Sequence, residues 1–130
     1  MSRRKLHLTP EQWEYLHALP KPRCPRDLSP EAKTIWKATA PGLKRRGYLT
    51  FVDAFLFRCY CMCVADHRRA VRSLTHCRKP QSRKVWASIE RMNRRMANTA
   101  AKWFYLPKMQ PLKPQQTHSQ HREKNRKELQ

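Results

Sequence analysis

Glycine is nearly absent: Gly42 and Gly47 are the only two in 130 residues. A glycine-rich phosphate loop and a dinucleotide fold both need several residues without a Cβ where backbone approaches phosphate, so neither is expected. Acid is scarce too, nine Asp and Glu against 29 Lys and Arg. The acids stand singly, with no pair spaced for two-carboxylate or two-metal chemistry. No local nucleophile motif surrounds the serines, cysteines or histidines. The chain therefore reads as a non-enzyme that needs no cofactor. No apolar stretch reaches 18 residues, and the longest, Phe51 to Ala65, carries Asp53 and Arg58. Nothing is expected to span a membrane. The opening Met1-Ser2-Arg3-Arg4-Lys5 lacks the apolar segment of a secretory signal. Five cysteines without a disulfide-scaffold spacing suit a reducing compartment. The expectation is a protein of the cytoplasm with free thiols.

What the chain has in excess is positive charge, +20 in all. So small a body repels itself strongly at that charge, and a polyanion is the expected partner. Nucleic acid is the first reading.

Punctuation by proline and caps divides the chain into three parts. Residues 1–28 hold a basic arm, a short helix and a proline-rich linker. Thr9-Pro10-Glu11-Gln12 reads as an N-cap, a proline at the first helical position and a reciprocal Gln. That helix, carrying Trp13 and Leu16, should end near Leu19, because Pro20, Pro22 and Pro25 remove donors and force extended backbone. The proline stretch is expected to be a semi-rigid linker.

Residues 29–110 form the helical domain. Ser29-Pro30-Glu31 repeats the start signal, with Ala32, Ile35, Trp36 and Leu43 as an apolar face. Pro41 should kink or divide this helix, and Gly47 should stop it. Thr50 and Asp53 then cap a second helix, to about Thr75. Leu56, Tyr60, Cys63, Val64, His67, Val71 and Leu74 form its buried stripe. Its first half is apolar on other faces as well, through Phe55, Phe57, Cys59 and Met62. A second subunit is the expected cover, with Phe55, Leu56, Phe57, Cys59, Tyr60 and Met62 as the candidate oligomer interface. A third helix, from Ser82 to about Phe104, should pack through Val85, Ile89, Met92, Met96, Ala100 and Trp103. Residues 111–130, polar and basic, are expected to be disordered alone. No strand or internal repeat is visible.

The candidate DNA-binding residues follow from charge geometry. At 100° per residue, Lys84, Arg91, Arg95 and Lys102 fall within about 20° of one line on the third helix. Uncompensated cations in line repel one another, and Glu90 is the single acid between Pro80 and Leu112. Phosphate contact explains such a stripe better than an inert face. Arg68, Arg69 and Arg72 on the second helix make a further set, and Arg3, Arg4 and Lys5 an arm. Cys59, Cys61 and Cys63 are poorly spaced for metal, since Cys61 points away from the other two on a helix. A site closed by His67, His76 or Cys77 is the less favoured reading, and the thiols are taken as small buried hydrophobes.

One resemblance gathers these pieces. Leu28-Ser29-Pro30-Glu31-Ala32-Lys33, Trp36, Pro41, Leu43, Gly47, Leu49-Thr50, Asp53, Tyr60-Cys61, Ala70 and Leu74 resemble the small subunit of tailed-bacteriophage terminases. More narrowly, the likeness is to the group with L-S-P-E-A-K-x-x-W followed by G-x-L-T-x-x-D. It resumes at Trp86-Ala87-Ser88-Ile89, Met92, Met96, Ala100-Ala101 and Phe104, covering about residues 28–110. Two departures stand out. His76-Cys77-Arg78-Lys79-Pro80-Gln81 replaces a longer, glycine-bearing connection, and Tyr105 stands where the group has the threonine of Leu-Thr-Pro.

The resemblance implies a small all-α protein with two long helices packed antiparallel, flexible basic tails and assembly into a ring homo-oligomer. It further implies a non-catalytic role in viral genome packaging. Such a protein binds the packaging-initiation region of double-stranded viral DNA in the host cytoplasm. It then delivers that DNA to the terminase large subunit. The alternatives are a small helical DNA-binding transcription regulator and a basic RNA-binding or virion-core protein.

Overall fold

Helices begin where the caps place them. The computed structural model describes residues 8–112, which form four α-helices and no strand. Helix α1, Pro10–Ala18, starts with reciprocal bonds: Gln12 N–H donates to Thr9 Oγ1 and Thr9 N–H to Gln12 Oε1. Helix α2, Pro30–Arg45, starts with Ala32 N–H donating to Ser29 Oγ. It continues through Pro41 instead of dividing there. Pro41 and Lys37, whose carbonyl loses its donor, both lie on the exposed side of α2, where solvent reaches that carbonyl.

A 3₁₀ turn, Phe51–Asp53, leads into α3, Ala54–His76, and α4 spans Pro80–Trp103. Both α2 and α4 close with a left-handed residue and paired backbone bonds. After α2, Gly47 at φ 72° donates to Lys44 O and Tyr48 to Leu43 O. After α4, Tyr105 at φ 55° donates to Lys102 O and Leu106 to Ala101 O. The two turns meet, with the Tyr48 and Tyr105 rings 4.8 Å apart.

The core sits where α2, α3 and α4 converge. Trp36 of α2 and Phe104 at the end of α4 both pack on Phe57, at ring separations of 4.5 and 5.4 Å. Ala32, Ile35, Leu43, Leu49, Cys61, Val64 and Ala97 fill in around them. The expected stripe of α3 is buried at Cys63, Val64 and His67 and half-buried at Leu56, Tyr60, Val71 and Leu74. Of its other apolar residues Phe57 is covered from within the chain, by Trp36 of α2 and by Phe104, while Phe55 and Met62 stay exposed. The proline segment, expected as a semi-rigid linker, is anchored on the domain. Pro22 is buried, Cys24 packs on the core, Leu28 belongs to it, and Asp27 makes a bidentate pair with Arg58 at 2.6 Å.

Three residues, Cys77–Lys79, separate α3 from α4. Contacts then tie opposite ends of the pair. Arg83 Nη1 donates to the carbonyls of Leu74 and Cys77 at the close of α3, and Trp103 Nε1 donates to Asp53 at its start. The packing face of α4 differs from the expected seam. Glu90, Asn93, Ala97, Ala100, Ala101 and Phe104 are buried, while Val85, Met92 and Met96 are 58%, 55% and 51% exposed. The helix is turned by about one residue, 100°. Alanines on that face let α3 and α4 approach closely, and the one acid there is neutralised. Glu90 Oε1 lies 3.1 Å from His67 Nε2 and 3.1 Å from Arg94 Nε, the latter held by charge and not by an aligned hydrogen bond. A buried carboxylate is tolerated when so paired.

Candidate nucleic-acid interface

With Glu90 turned inward, the outer side of α4 is left to cations. Lys84, Arg91, Arg95 and Lys102 are all exposed, about 150° around the helix from its buried face. They span about 27 Å along the axis at 1.5 Å per residue. Among the described residues none of the four makes an ion pair.

The arginines of α3 do not extend this stripe. Arg72 makes a bidentate pair with Glu31 of α2, at 2.9 and 3.0 Å, and so faces the α2 flank. Its guanidinium holds the Glu31 carboxyl below the ordinary range, with exposed Arg68 adding a smaller pull, and Glu31 raises Arg72 in return. The Arg69 guanidinium lies over the Trp86 ring, 5.7 Å from its centroid, bridging α3 and α4. Arg3, Arg4 and Lys5 lie outside the described residues.

The six residues expected at a subunit contact separate into three kinds. Phe57 is fully buried in its own chain between Trp36 and Phe104, which corrects its place on a contact surface. Leu56 and Tyr60 are half-buried against the same core, and Cys59 is half-buried. Phe55, 75% exposed, and Met62 remain on the outside. Trp36 of α2 and Phe104 cover Phe57, which leaves it no surface for another subunit. Val85, Met92 and Met96, assigned to the core by their spacing, belong instead to the exposed apolar surface.

All five cysteines are free thiols. Burial pushes Cys61 up to about 12, and Cys63 is raised for the same reason. Among the described residues no group of three His, Cys, Asp or Glu side chains is placed to hold a metal ion. No described helix is long and apolar enough to cross a membrane.

The residues that carry the resemblance are occupied with the fold. Leu28, Ala32 and Trp36 are core, and Ser29 caps α2. Asp53 Oδ2 accepts from the Thr50 amide at 2.9 Å and hydroxyl at 2.7 Å, while Oδ1 accepts the Trp103 indole N–H at 2.8 Å. L-T-x-x-D is thus a knot joining the start of α3 to the end of α4.

A family model described as phage terminase, small subunit, matches residues 32–103, more than half of the chain. No curated protein and no solved structure matches it. The matched segment holds α2, α3 and α4, the core between them and the basic stripe. The protein therefore belongs to the phage terminase small-subunit family and serves phage DNA packaging.

Proposed function

We propose that this chain binds duplex DNA at the packaging-initiation region of a phage genome through the outer side of α4. It passes the bound DNA to the terminase large subunit and performs no catalysis itself. The observation that carries this reading is the stripe Lys84, Arg91, Arg95 and Lys102, exposed and without acid beside it, on a helix whose one carboxylate is buried. Such a row suits backbone phosphates, which position a protein on DNA without reading its sequence. Arg68 adds charge on another face, and Arg72, offset by Glu31, adds less.

The chain is also read as a ring homo-oligomer built on α3 and α4 as an antiparallel pair, which the contacts between opposite ends support. Phe55 and Met62 are the surface available to a neighbour from the expected interface.

DNA titrations across salt test the first claim. Each phosphate neutralised contributes about 0.9 to the slope of log K against log salt on duplex DNA. Changing the four cations to Ala should flatten that slope by about 3 to 4 units and weaken binding to all sequences alike. An unchanged slope and affinity would overturn the assignment. Equal affinity for RNA would favour a virion-core protein instead, and a wild-type monomer or dimer would favour a regulator.

A further inference from the structure

The cations of α2 take no part in the site described above. Lys33, Lys37 and Lys44 fall within about 20° of one line on that helix and span about 16 Å along it. The line stands about 100° around α2 from the centre of its buried side, formed by Ala32, Ile35, Trp36, Ala40 and Leu43. Lys37 is exposed, and Lys33 and Lys44 are half-buried; a lysine lays its stem on the surface and keeps its ammonium in water. The proline segment brings more charge to this flank. Residues 19–28 lead back from the end of α2, where the His17 ring meets Gly47, to its start at Ser29. The Asp27 carboxyl, held down foremost by its hydrogen bond from Arg58, also feels Lys33, which sets the segment beside the lysine line. Arg23 and Arg26 are exposed there and Lys21 is half-exposed.

Opposing charge is engaged elsewhere. Asp27, the one acid of the segment, makes its bidentate pair with Arg58. Glu31 stands about 140° around α2 from the lysine line and pairs with Arg72. Glu11 and Glu14 stand on α1, which meets the end of α2 through His17, and pair with none of these cations. Among the described residues none of the six cations makes an ion pair. Lysines so placed repel one another and gain from an anion laid across them. This flank does not continue the stripe on α4. Arg58 and Arg72, which hold Asp27 and Glu31, stand about 140–180° around α3 from His67, which meets Glu90 of α4. There α2 and α4 lie on nearly opposite sides of α3. A straight duplex laid along the outer side of α4 is therefore turned away from α2.

We infer that the lysine flank of α2, with Arg23 and Arg26 beside it, is a second phosphate-binding surface, so that each chain holds two stretches of duplex DNA, one on α4 and one on α2. The inference rests on the DNA-binding reading above and extends it to a surface that reading does not use. Duplex DNA is the ligand because it repeats a negative charge every ~1.7 Å along its axis, which suits cations spread in a row. A lone phosphate or nucleotide needs donors that converge on one point, and a convex helix flank offers none. The contacts position DNA without reading its sequence.

Stoichiometric titration of the full chain at low salt with a hairpin duplex of about 12 base pairs, about 40 Å long, tests this. Wild type should saturate at two duplexes per chain, the second held more weakly. Lys33→Ala with Lys37→Ala and Lys44→Ala should remove the second duplex and keep the first. Changing the four cations of α4 to Ala should do the reverse. Lys21→Ala with Arg23→Ala and Arg26→Ala, which leaves α2 itself untouched, should weaken the second duplex severalfold and spare the first. Helical circular dichroism and thermal melting should match wild type in each variant. Saturation at one duplex, unchanged by the α2 substitutions and abolished by those on α4, would overturn the second surface and leave the α4 reading standing. One duplex, lost with the α2 lysines and kept without the α4 cations, would overturn the α4 reading and the two-surface inference with it. Preference of the α2 flank for an RNA hairpin of the same length would overturn its assignment to duplex DNA. No binding by wild type would overturn both readings.

Discussion

Replacing Asp53 with Ala should unfold the protein early without touching the side of α4 proposed to face DNA. The substitution removes one acceptor group that satisfies three donors: the Thr50 amide, the Thr50 hydroxyl and the Trp103 indole. Asp53 is only 4% exposed, so water replaces it poorly. Loss of a helix cap costs about 1 kcal/mol, and a donor orphaned in a buried site about 1–3 kcal/mol. A loss of about 3 kcal/mol follows, or about 12–24 °C in Tm for a domain of this size. Asp53→Asn keeps one oxygen for the indole but turns an NH₂ toward two other donors, so its loss should be intermediate. Thermal unfolding followed by circular dichroism measures both, and DNA affinity is read well below the lower transition. A variant melting within a few degrees of wild type but failing to bind DNA would refute the reasoning, placing Asp53 at the nucleic acid and not in the fold.

Three further outcomes follow from local geometry. In the native protein Cys61 should resist alkylation at pH 8 while Cys59 and Cys77 react, because burial holds the Cys61 thiol protonated; mass spectrometry after a short iodoacetamide pulse reads this. Gly47→Ala should cost about 1–2 kcal/mol for a left-handed backbone, with added crowding from His17 Cε1 at 3.0 Å from the new Cβ; urea unfolding measures it, and Gly47→Asn should lose less. Asp27 and Glu31 have carboxyls held below their ordinary values of 3.8 and 4.5, foremost by the side-chain hydrogen bonds of Arg58 and Arg72. Their contribution is therefore present above about pH 4.5 and is lost as pH falls through the lowered values; it should be small and salt-sensitive for such exposed pairs, and Tm between pH 2 and 6 should be flatter in Arg58→Ala with Arg72→Ala.

Local signals were readable in the sequence and distances across the fold were not. Thr9-Pro10 and Ser29-Pro30 announce helix starts because capping and proline chemistry act within one turn, and Gly47 announces a stop for the same reason. The basic line on α4 was equally readable, since the angle between residues on one helix is fixed. Which side of α4 turns inward was not. Met92 and Met96 outrank Ala97 and Ala101 in hydrophobicity, so spacing selected the methionines, whereas close approach of α3 selected the alanines. Glu90 reads as a surface acid until His67, 23 residues earlier, is brought to it. Phe57 was misassigned by the same gap, because nothing near it in sequence reveals that Trp36 lies 4.5 Å away.

The three-residue turn between α3 and α4 has a consequence in time. Most of the packing on α4 comes from the helix immediately before it, so the chain need not close a long loop before its largest contact forms. Folding of such local topologies is fast, in microseconds to milliseconds, whereas encounter between subunits depends on concentration. On the ring reading proposed above, chains meet as finished bodies, and dilution should slow association without slowing the appearance of helix.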